Sequence, residues 1–103
     1  MRRRLLALSL VLPMLAAPAA QAQVRPLKLG QCEACHGADG RGRAPGIPNL
    51  AAQDEQYLVS ALLAYRGGQR RHPVMNAIAN TLQPRDVQGL ARWYASRPPV
   101  RAR

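Results

Sequence analysis

Apolar residues recur at helical spacing in two segments of the second half of the chain. The first segment extends from Asp54 to Arg66, and its apolar positions are Tyr57, Leu58, Ala61, Leu62 and Tyr65. The second extends from Pro84 to Ser96, and its apolar stripe consists of Val87, Leu90, Ala91 and Tyr94. Both begin with proline or acidic residues, which are favoured in the first turn of a helix. The spacing therefore predicts two amphipathic helices.

The pattern is weaker in the remaining segments. Residues 24–31 predict a short or distorted first helix that runs into the cysteine at position 32. Residues 72–82 predict an extended His-Pro-Val-Met stretch followed by a short helix. Residues 37–48 are rich in glycine and proline, which favours an irregular loop. No segment alternates with a period of two, so the sequence predicts an all-α domain.

The first 22 residues have the order of an export signal. A basic end is followed by an apolar run and then by small residues that end at Ala22 in an A-x-A cleavage site. An uncleaved membrane anchor is the alternative, since residues 5–22 are nearly long enough to span a bilayer, but their prolines and alanines make a poor anchor. We therefore expect cleavage after Ala22, a mature domain of residues 23–103 and no stable membrane insertion.

The composition of the mature segment limits its partners and its core. Removing the three leading arginines from the 15 basic residues leaves 12 against 5 acidic ones, or about +7. An exported chain meets little nucleic acid, and its arginines are not interleaved with stacking aromatics, so a nucleic-acid partner is not expected. The chain has no Phe and one Trp. So small a domain often needs a disulfide, metal or cofactor to supplement its core.

Both cysteines of the chain lie in the motif Cys32-Glu33-Ala34-Cys35-His36. A dithiol oxidoreductase would need a strand and helix framework, which the pattern does not predict. A zinc site would need His72 as fourth ligand and would bring His36 into the same tetrahedron as the adjacent Cys35. Covalent haem explains the whole motif, because two thiols three positions apart can each form a thioether and the following histidine reaches the iron. We therefore predict one haem c, attached by a dedicated maturation system that keeps the cysteines reduced.

The ligand on the other side of the iron decides between an electron carrier and a reaction site. Met75 is the one methionine that follows Ala22, and it lies after Pro73-Val74 in the segment between two predicted helices. His72 is the competing ligand, although a surface histidine beside two arginines is its plainer interpretation. Peroxide chemistry would require His72 and a nearby arginine to act together.

With these residues in view, the chain resembles the small bacterial class I cytochromes c, especially the single-haem domains that also occur in pairs in di-haem cytochromes. The resemblance covers nearly all of residues 23–103. It is carried by CEACHGADGRG from position 32, IPNL from 47, QYLVSALLAYRGGQRRHPVMNAIANTL from 56 and DVQGLARWYAS from 86.

The resemblance implies a cytochrome c fold in which three to four helices wrap one haem. It implies thioether bonds to Cys32 and Cys35 and axial iron ligation by His36 and Met75. It also implies that the carbonyl of Pro48, with Pro45 as the alternative, accepts a hydrogen bond from the far ring nitrogen of His36. The family's last helix crosses its first, which would use Leu90 and Tyr94 or Trp93 here, with Gly89 allowing a close approach. The segment before the cysteines departs from the family, since it lacks the usual small residue and aromatic.

These features together predict a monomeric periplasmic carrier that transfers one electron at a time and has no chemistry of its own. Its basic surface would attract acidic redox partners. The alternatives are a haem enzyme or sensor with an exchangeable sixth ligand and a cytochrome subunit of a larger oxidoreductase. The sequence identifies neither donor nor acceptor.

Overall fold

The computed structural model describes residues 5–16 and 23–101, and within these ranges it contains four α-helices and no strand. The helices are α1 Leu29–His36, α2 Glu55–Gly67, α3 Pro73–Asn80 and α4 Pro84–Ala95. The predicted all-α architecture is therefore confirmed. Residues 5–16 form no regular secondary structure, and the predicted cleavage site after Ala22 lies outside the described residues. Among the described residues, no helix has the length and apolarity needed to cross a membrane.

The two helices with the clearest apolar spacing form within one residue of the predicted positions. The side chain of Asp54 caps α2 by accepting a hydrogen bond from the backbone N–H of Tyr57. In α4, the Asp86 carboxylate accepts from the backbone N–H of Gln83, and Pro84 occupies the first turn. Such contacts satisfy amide donors that have no partner within the helix, which is why these helices begin where they do.

Two of the weaker predictions are wrong in position. The first helix does not cover residues 24–31, because α1 begins at Leu29 and contains the whole cysteine motif. The segment at His72 to Met75 is not extended throughout, because α3 begins at Pro73. His72 alone keeps the extended backbone, and proline is favoured in the first turn because its missing N–H would be unpaired there anyway. Met75 therefore lies in the first turn of a helix.

The core is small and is built around α4. Buried apolar side chains form one cluster that consists of Leu29, Leu58, Leu82, Val87, Leu90, Ala91 and Tyr94. Helix α2 packs against both α3 and α4, and Leu29 brings the start of α1 into the same cluster. The predicted close approach at Gly89 is wrong, since a Cβ added there would meet nothing within 4 Å. Helix α4 reaches the first helix through its long side chains instead.

Candidate haem-binding site

The two cysteines lie one helical turn apart on α1. Residues three apart are neighbours on a helix surface, so Cys32 and Cys35 present two free thiols on one side of α1. Cys35 is exposed, whereas Cys32 is half-buried and packs against the core. Burial, together with the adjacent charge of Glu33, raises the pKa of Cys32 to about 11. As a free thiol, Cys32 is therefore un-ionised at neutral pH.

His36 is the last residue of α1 and is only 8% exposed. Its Nδ1 lies 2.9 Å from the carbonyl oxygen of Pro48. A carbonyl oxygen can only accept, so Nδ1 carries the proton in this contact and Nε2 of the neutral ring keeps a free lone pair. The imidazole is thus held in one orientation, with the nitrogen that can bind a metal left available. Pro48, and not Pro45, provides the oxygen.

The loop after α1 folds back on itself and brings Pro48 to His36. The carbonyl oxygen of Gly40 accepts hydrogen bonds from the backbone N–H groups of Leu50, at 2.7 Å, and Ala51, at 3.2 Å. Gly40 has a φ of +80°, and a Cβ at this position would lie 2.5 Å from the nitrogen of Ala51. Glycine is required here both for its backbone conformation and for the close contact of two chain segments.

Two successive aromatic residues of α4 hold the start of this loop. The indole Nε1 of Trp93 donates to the carbonyl oxygen of Ala38, and the hydroxyl of Tyr94 donates to that of Gly37, both at 2.8 Å. Burial raises the pKa of Tyr94, and Cys32 contributes further in the same direction. We expected Tyr94 or Trp93 to pack against the first helix, and the hydrogen bonds of both side chains are an additional finding. The neighbouring Trp93 and Tyr94 could have indicated these bonds in the sequence, because the indole N–H and the phenol hydroxyl usually have a hydrogen-bond partner when they are buried.

On the other side of the site, Met75 is half-buried in the first turn of α3. Its backbone N–H donates to Nδ1 of His72 at 3.4 Å, which makes the imidazole the N-cap of the helix. His72 is exposed, and its backbone N–H is bound by the side chain of Asn76 at 2.9 Å. His72 therefore caps the start of α3 through its ring nitrogen. This role favours Met75 over His72 as the iron ligand.

The arrangement of these residues fits a haem site better than a zinc site or a dithiol redox site. Over residues 5–16 and 23–101, no three His, Cys, Asp or Glu side chains come together in a way that could hold a metal ion, which argues against the zinc site. A strand and helix framework for dithiol chemistry is missing from the same ranges. Ile47, Met75 and Ile78 are half-buried apolar residues outside the core cluster. Such apolar surface suits a flat apolar cofactor held by two thiols and a free imidazole nitrogen.

Comparison with known proteins decides the family, because residues 28–96 match the family model for cytochrome c. The chain belongs to the cytochrome c family. It is 44% identical over 72 residues to cytochrome c-554(548) of Halomonas halodenitrificans, a match that covers 67% of this chain and 87% of that protein. This cytochrome c is also 37% identical over 91 residues to cytochrome c4 of Pseudomonas aeruginosa, covering 88% of this chain and 45% of that protein.

Two further similarities connect this cytochrome c with proteins named for an enzyme. It is 40% identical over 100 residues to a thiosulfate dehydrogenase electron acceptor of Thiomonas intermedia, covering 96% of this chain and 46% of that protein. The solved structure of the thiosulfate dehydrogenase TsdBA from Marichromatium purpuratum superposes with a TM-score of 0.62 at 39% identity, covering 66% of this chain and 15% of that one. This cytochrome c thus spans less than half of several relatives that it matches.

Family and relatives together establish an electron-transfer protein that carries covalently bound haem c. The predicted cofactor and the predicted cytochrome c fold are confirmed. The family assignment also explains why so few residues form the core, since the cofactor adds apolar volume that the side chains do not supply.

Acidic side chains of this cytochrome c all have a partner, whereas several of its arginines have no carboxylate nearby in the described part of the chain. All five acidic side chains are engaged: Glu33 and Glu55 form ion pairs with Arg25 and Arg92, at 2.7 and 3.6 Å, and Asp39, Asp54 and Asp86 accept from backbone N–H groups. Among the described residues, these are the two ion pairs that form. Arg66 in the last turn of α2, and Arg70 and Arg71 in the connection to α3, have no described carboxylate within ion-pair distance. The connection that leads to Met75 is therefore positively charged.

Proposed function

We propose that this cytochrome c is a periplasmic one-electron carrier in which His36 and Met75 are the axial ligands of the iron. Residues 1–22 would direct its export and be removed after Ala22. The observation that carries the proposal is the hydrogen bond from Nδ1 of His36 to Pro48, which leaves Nε2 free on a buried and oriented ring. Orientation by such a contact also strengthens a histidine as an electron donor to a metal.

The residues of this chain would have three tasks around the haem. Cys32 and Cys35 would anchor it through thioether bonds, so that it would stay in place in both oxidation states. His36, held by Pro48, and Met75, held at the start of α3, would be the two protein ligands of the iron and would keep water from it. The haem itself supplies the reversible one-electron chemistry, and its potential is tuned by these ligands and by their burial.

Replacement of Met75 by alanine tests the ligand assignment directly. A weak red charge-transfer band in the ferric spectrum reports a sulfur ligand, and we expect Met75→Ala to abolish it. Val74→Ala is the matched control, because Val74 is the neighbouring residue of α3 and is 54% exposed. A native ferric spectrum without the band, or a band that survives in Met75→Ala, would refute the assignment. Loss of the native spectrum in His72→Ala alone would point to His72 instead.

We propose that its partners are redox enzymes with acidic docking surfaces. Arg66, Arg70 and Arg71 have no carboxylate partner among the described residues, and the connection from α2 to α3 leads to Met75. The relatives named as electron acceptors of thiosulfate dehydrogenase make a dehydrogenase a reasonable donor. Charge attraction between exposed groups is screened by salt. The rate constant for association with such a donor should therefore fall as ionic strength rises.

A pair of arginine variants would locate the docking surface. Arg71→Gln removes a charge from the connection between α2 and α3, and Arg101→Gln removes the same charge from a position after α4. We expect the first variant to slow association more than the second at low salt, and the two to converge at high salt. Equal effects of both variants would show that only the overall charge matters.

A second candidate is a subunit of a larger oxidoreductase. It is favoured by the solved thiosulfate dehydrogenase, in which the matching segment is 15% of a longer chain. Sedimentation of the protein purified from its own cells under mild conditions separates the two candidates. A carrier should sediment as a monomer, whereas a subunit should remain in a stable complex of higher mass.

A further inference from the structure

The side chain of Asn76 joins three parts of the chain around Met75. Its Nδ2 donates to the carbonyl oxygen of Tyr65 at 2.8 Å and to that of Arg70 at 2.9 Å. Its Oδ1 accepts from the backbone N–H of His72 at 2.9 Å. Both N–H groups of the amide and its oxygen are therefore used. A half-buried amide with every polar atom satisfied specifies one arrangement of its surroundings.

The segments that Asn76 joins are those that place Met75. Tyr65 lies in the last turn of α2, Arg70 lies in the connection after the Gly67-Gly68 pair, and His72 is the N-cap of α3. Asn76 follows Met75 directly, so the amide fixes the first turn of α3 against the end of α2. The sulfur of Met75 is carried on that turn.

Apart from the packing of α3 against α2, the start of α3 has few other side-chain contacts among the described residues. The helix is eight residues long, and one of them, Ala79, is fully buried. Helices this short are unstable without tertiary contacts. The cap from His72 is a long contact of 3.4 Å on an exposed side chain. The three contacts of the Asn76 side chain are shorter, at 2.8–2.9 Å, and the one to Tyr65 is part-buried. They therefore restrain this turn more than the His72 cap does.

We propose that Asn76 is a positioning residue that keeps the sulfur of Met75 on the iron. The inference rests on the proposed ligation by Met75. A thioether is a weak neutral ligand, so its occupancy depends on how narrowly the backbone holds it near the metal. When the amide contacts are lost, α3 should move away from the site more often, and an external ligand should take the vacated position more readily.

Binding of imidazole to the ferric protein measures this release without any redox partner. We expect Asn76→Ala to raise the affinity for imidazole about tenfold, which corresponds to the net loss of one well-formed hydrogen bond. The red charge-transfer band should also disappear at a lower temperature than the helical circular dichroism signal. Asn80→Ala is the matched control, because its Nδ2 donates at 2.7 Å to the carbonyl of Asn76 within the same helix. It should change imidazole affinity less than about twofold.

Asn76→Asp provides a second variant in case the alanine variant does not fold. It keeps the volume and the acceptor for the N–H of His72 but replaces the two donors that face the carbonyls of Tyr65 and Arg70. We expect it to bind imidazole at least as tightly as Asn76→Ala. Unchanged imidazole affinity in both variants would overturn the inference. Parallel loss of the red band and of helicity at one temperature would overturn it as well, since that result indicates a general structural role.

The same measurements on Met75→Ala distinguish failure of this inference from failure of the ligand assignment. If Met75→Ala keeps the red band, the assignment of Met75 is wrong and the role of Asn76 falls with it. If Met75→Ala loses the band but Asn76→Ala binds imidazole as the unmodified protein does, the inference about Asn76 alone is wrong.

Discussion

His36 is buried at the end of α1 and its ring is hydrogen-bonded to Pro48, whereas Met75 is half-buried in the first turn of an eight-residue helix. We call residues 29–51, together with the contacts that α4 makes to them, the histidine side of the site. Residues 65–80 form the methionine side. The histidine side is held by loop contacts to Gly40 and by two aromatic donors from α4. The methionine side is held by the packing of α3 against α2, by the amide of Asn76 and by the cap from His72.

This difference predicts which side of the site opens first as the protein is destabilised. Contacts from α4 connect the histidine side to the main core cluster, so this side should open only when the domain unfolds. The methionine side has fewer buried residues and can loosen locally. Perturbation of the histidine side should therefore lower global stability, whereas perturbation of the methionine side should release the ligand while the fold remains.

Gly40→Ala should have the largest effect on global stability. The new Cβ would lie 2.5 Å from the nitrogen of Ala51, and alanine is disfavoured at a φ of +80°. We expect the free energy of unfolding to fall by about 3 kcal/mol or more in a denaturant titration. Gly46→Ala is the control, because Gly46 has a φ of +83° but open space at the Cβ position. It should cost about 1 kcal/mol. Equal costs for the two variants would show that the contact with Ala51 is unimportant.

Tyr94→Phe should have the next largest effect. It leaves the buried carbonyl oxygen of Gly37 without the hydroxyl that donates to it at 2.8 Å. We expect the free energy of unfolding to fall by about 1–2 kcal/mol, with no change in the red charge-transfer band at room temperature. Tyr57→Phe, at a position that is 50% exposed, should change stability by less than about 0.5 kcal/mol. Early loss of the red band in Tyr94→Phe would contradict the separation of the two sides.

High pH should lower the free energy of unfolding, because the Tyr94 hydroxyl that holds the histidine side loses its proton. Burial raises the pKa of Tyr94 above its ordinary value of 10.0, so the un-ionised form is favoured in the folded state. Stability from this group is complete below pH 10 and is lost as the pH rises toward the folded pKa, with a slope of at most about 1.4 kcal/mol per pH unit. Denaturant titrations of the reduced protein between pH 9 and pH 11 would measure it. The slope should be smaller in Tyr94→Phe, and an equal slope in both proteins would refute this assignment.

His72→Ala should have the smallest effect on global stability and act on the methionine side. It removes an exposed N-cap whose contact is 3.4 Å long, so we expect a loss of about 0.5–1 kcal/mol. The red band should disappear at a lower temperature, as in Asn76→Ala but by a smaller amount. His72→Asn restores a good capping residue and should recover most of the loss. A failure of asparagine to recover it would show that His72 acts by another route.

Secondary structure was predictable where one segment carries its own signals. Helices α2 and α4 combine an apolar stripe with a capping residue, and both form within one residue of the expected positions. The start of α3 was missed because the extended backbone ends at His72 instead of continuing to Met75. Pro73 in the first turn is a local signal for that boundary, but the contacts from Asn76 to Tyr65 and Arg70, which also hold it, are 11 and 6 residues away. Local spacing carries no information about such contacts.

The amino-acid sequence by itself determined the two amphipathic helices and the haem attachment motif, because all of their chemistry lies within one or a few helical turns. Tertiary structure decided what surrounds that motif. The backbone contacts of Gly40 decide that Pro48 and not Pro45 faces His36. Trp93 and Tyr94 become hydrogen-bond donors to residues 55 and 57 positions earlier, and Asn76 becomes the restraint on Met75. These roles arise only when distant segments meet, since a polar side chain takes its partner from whatever backbone the fold brings within reach.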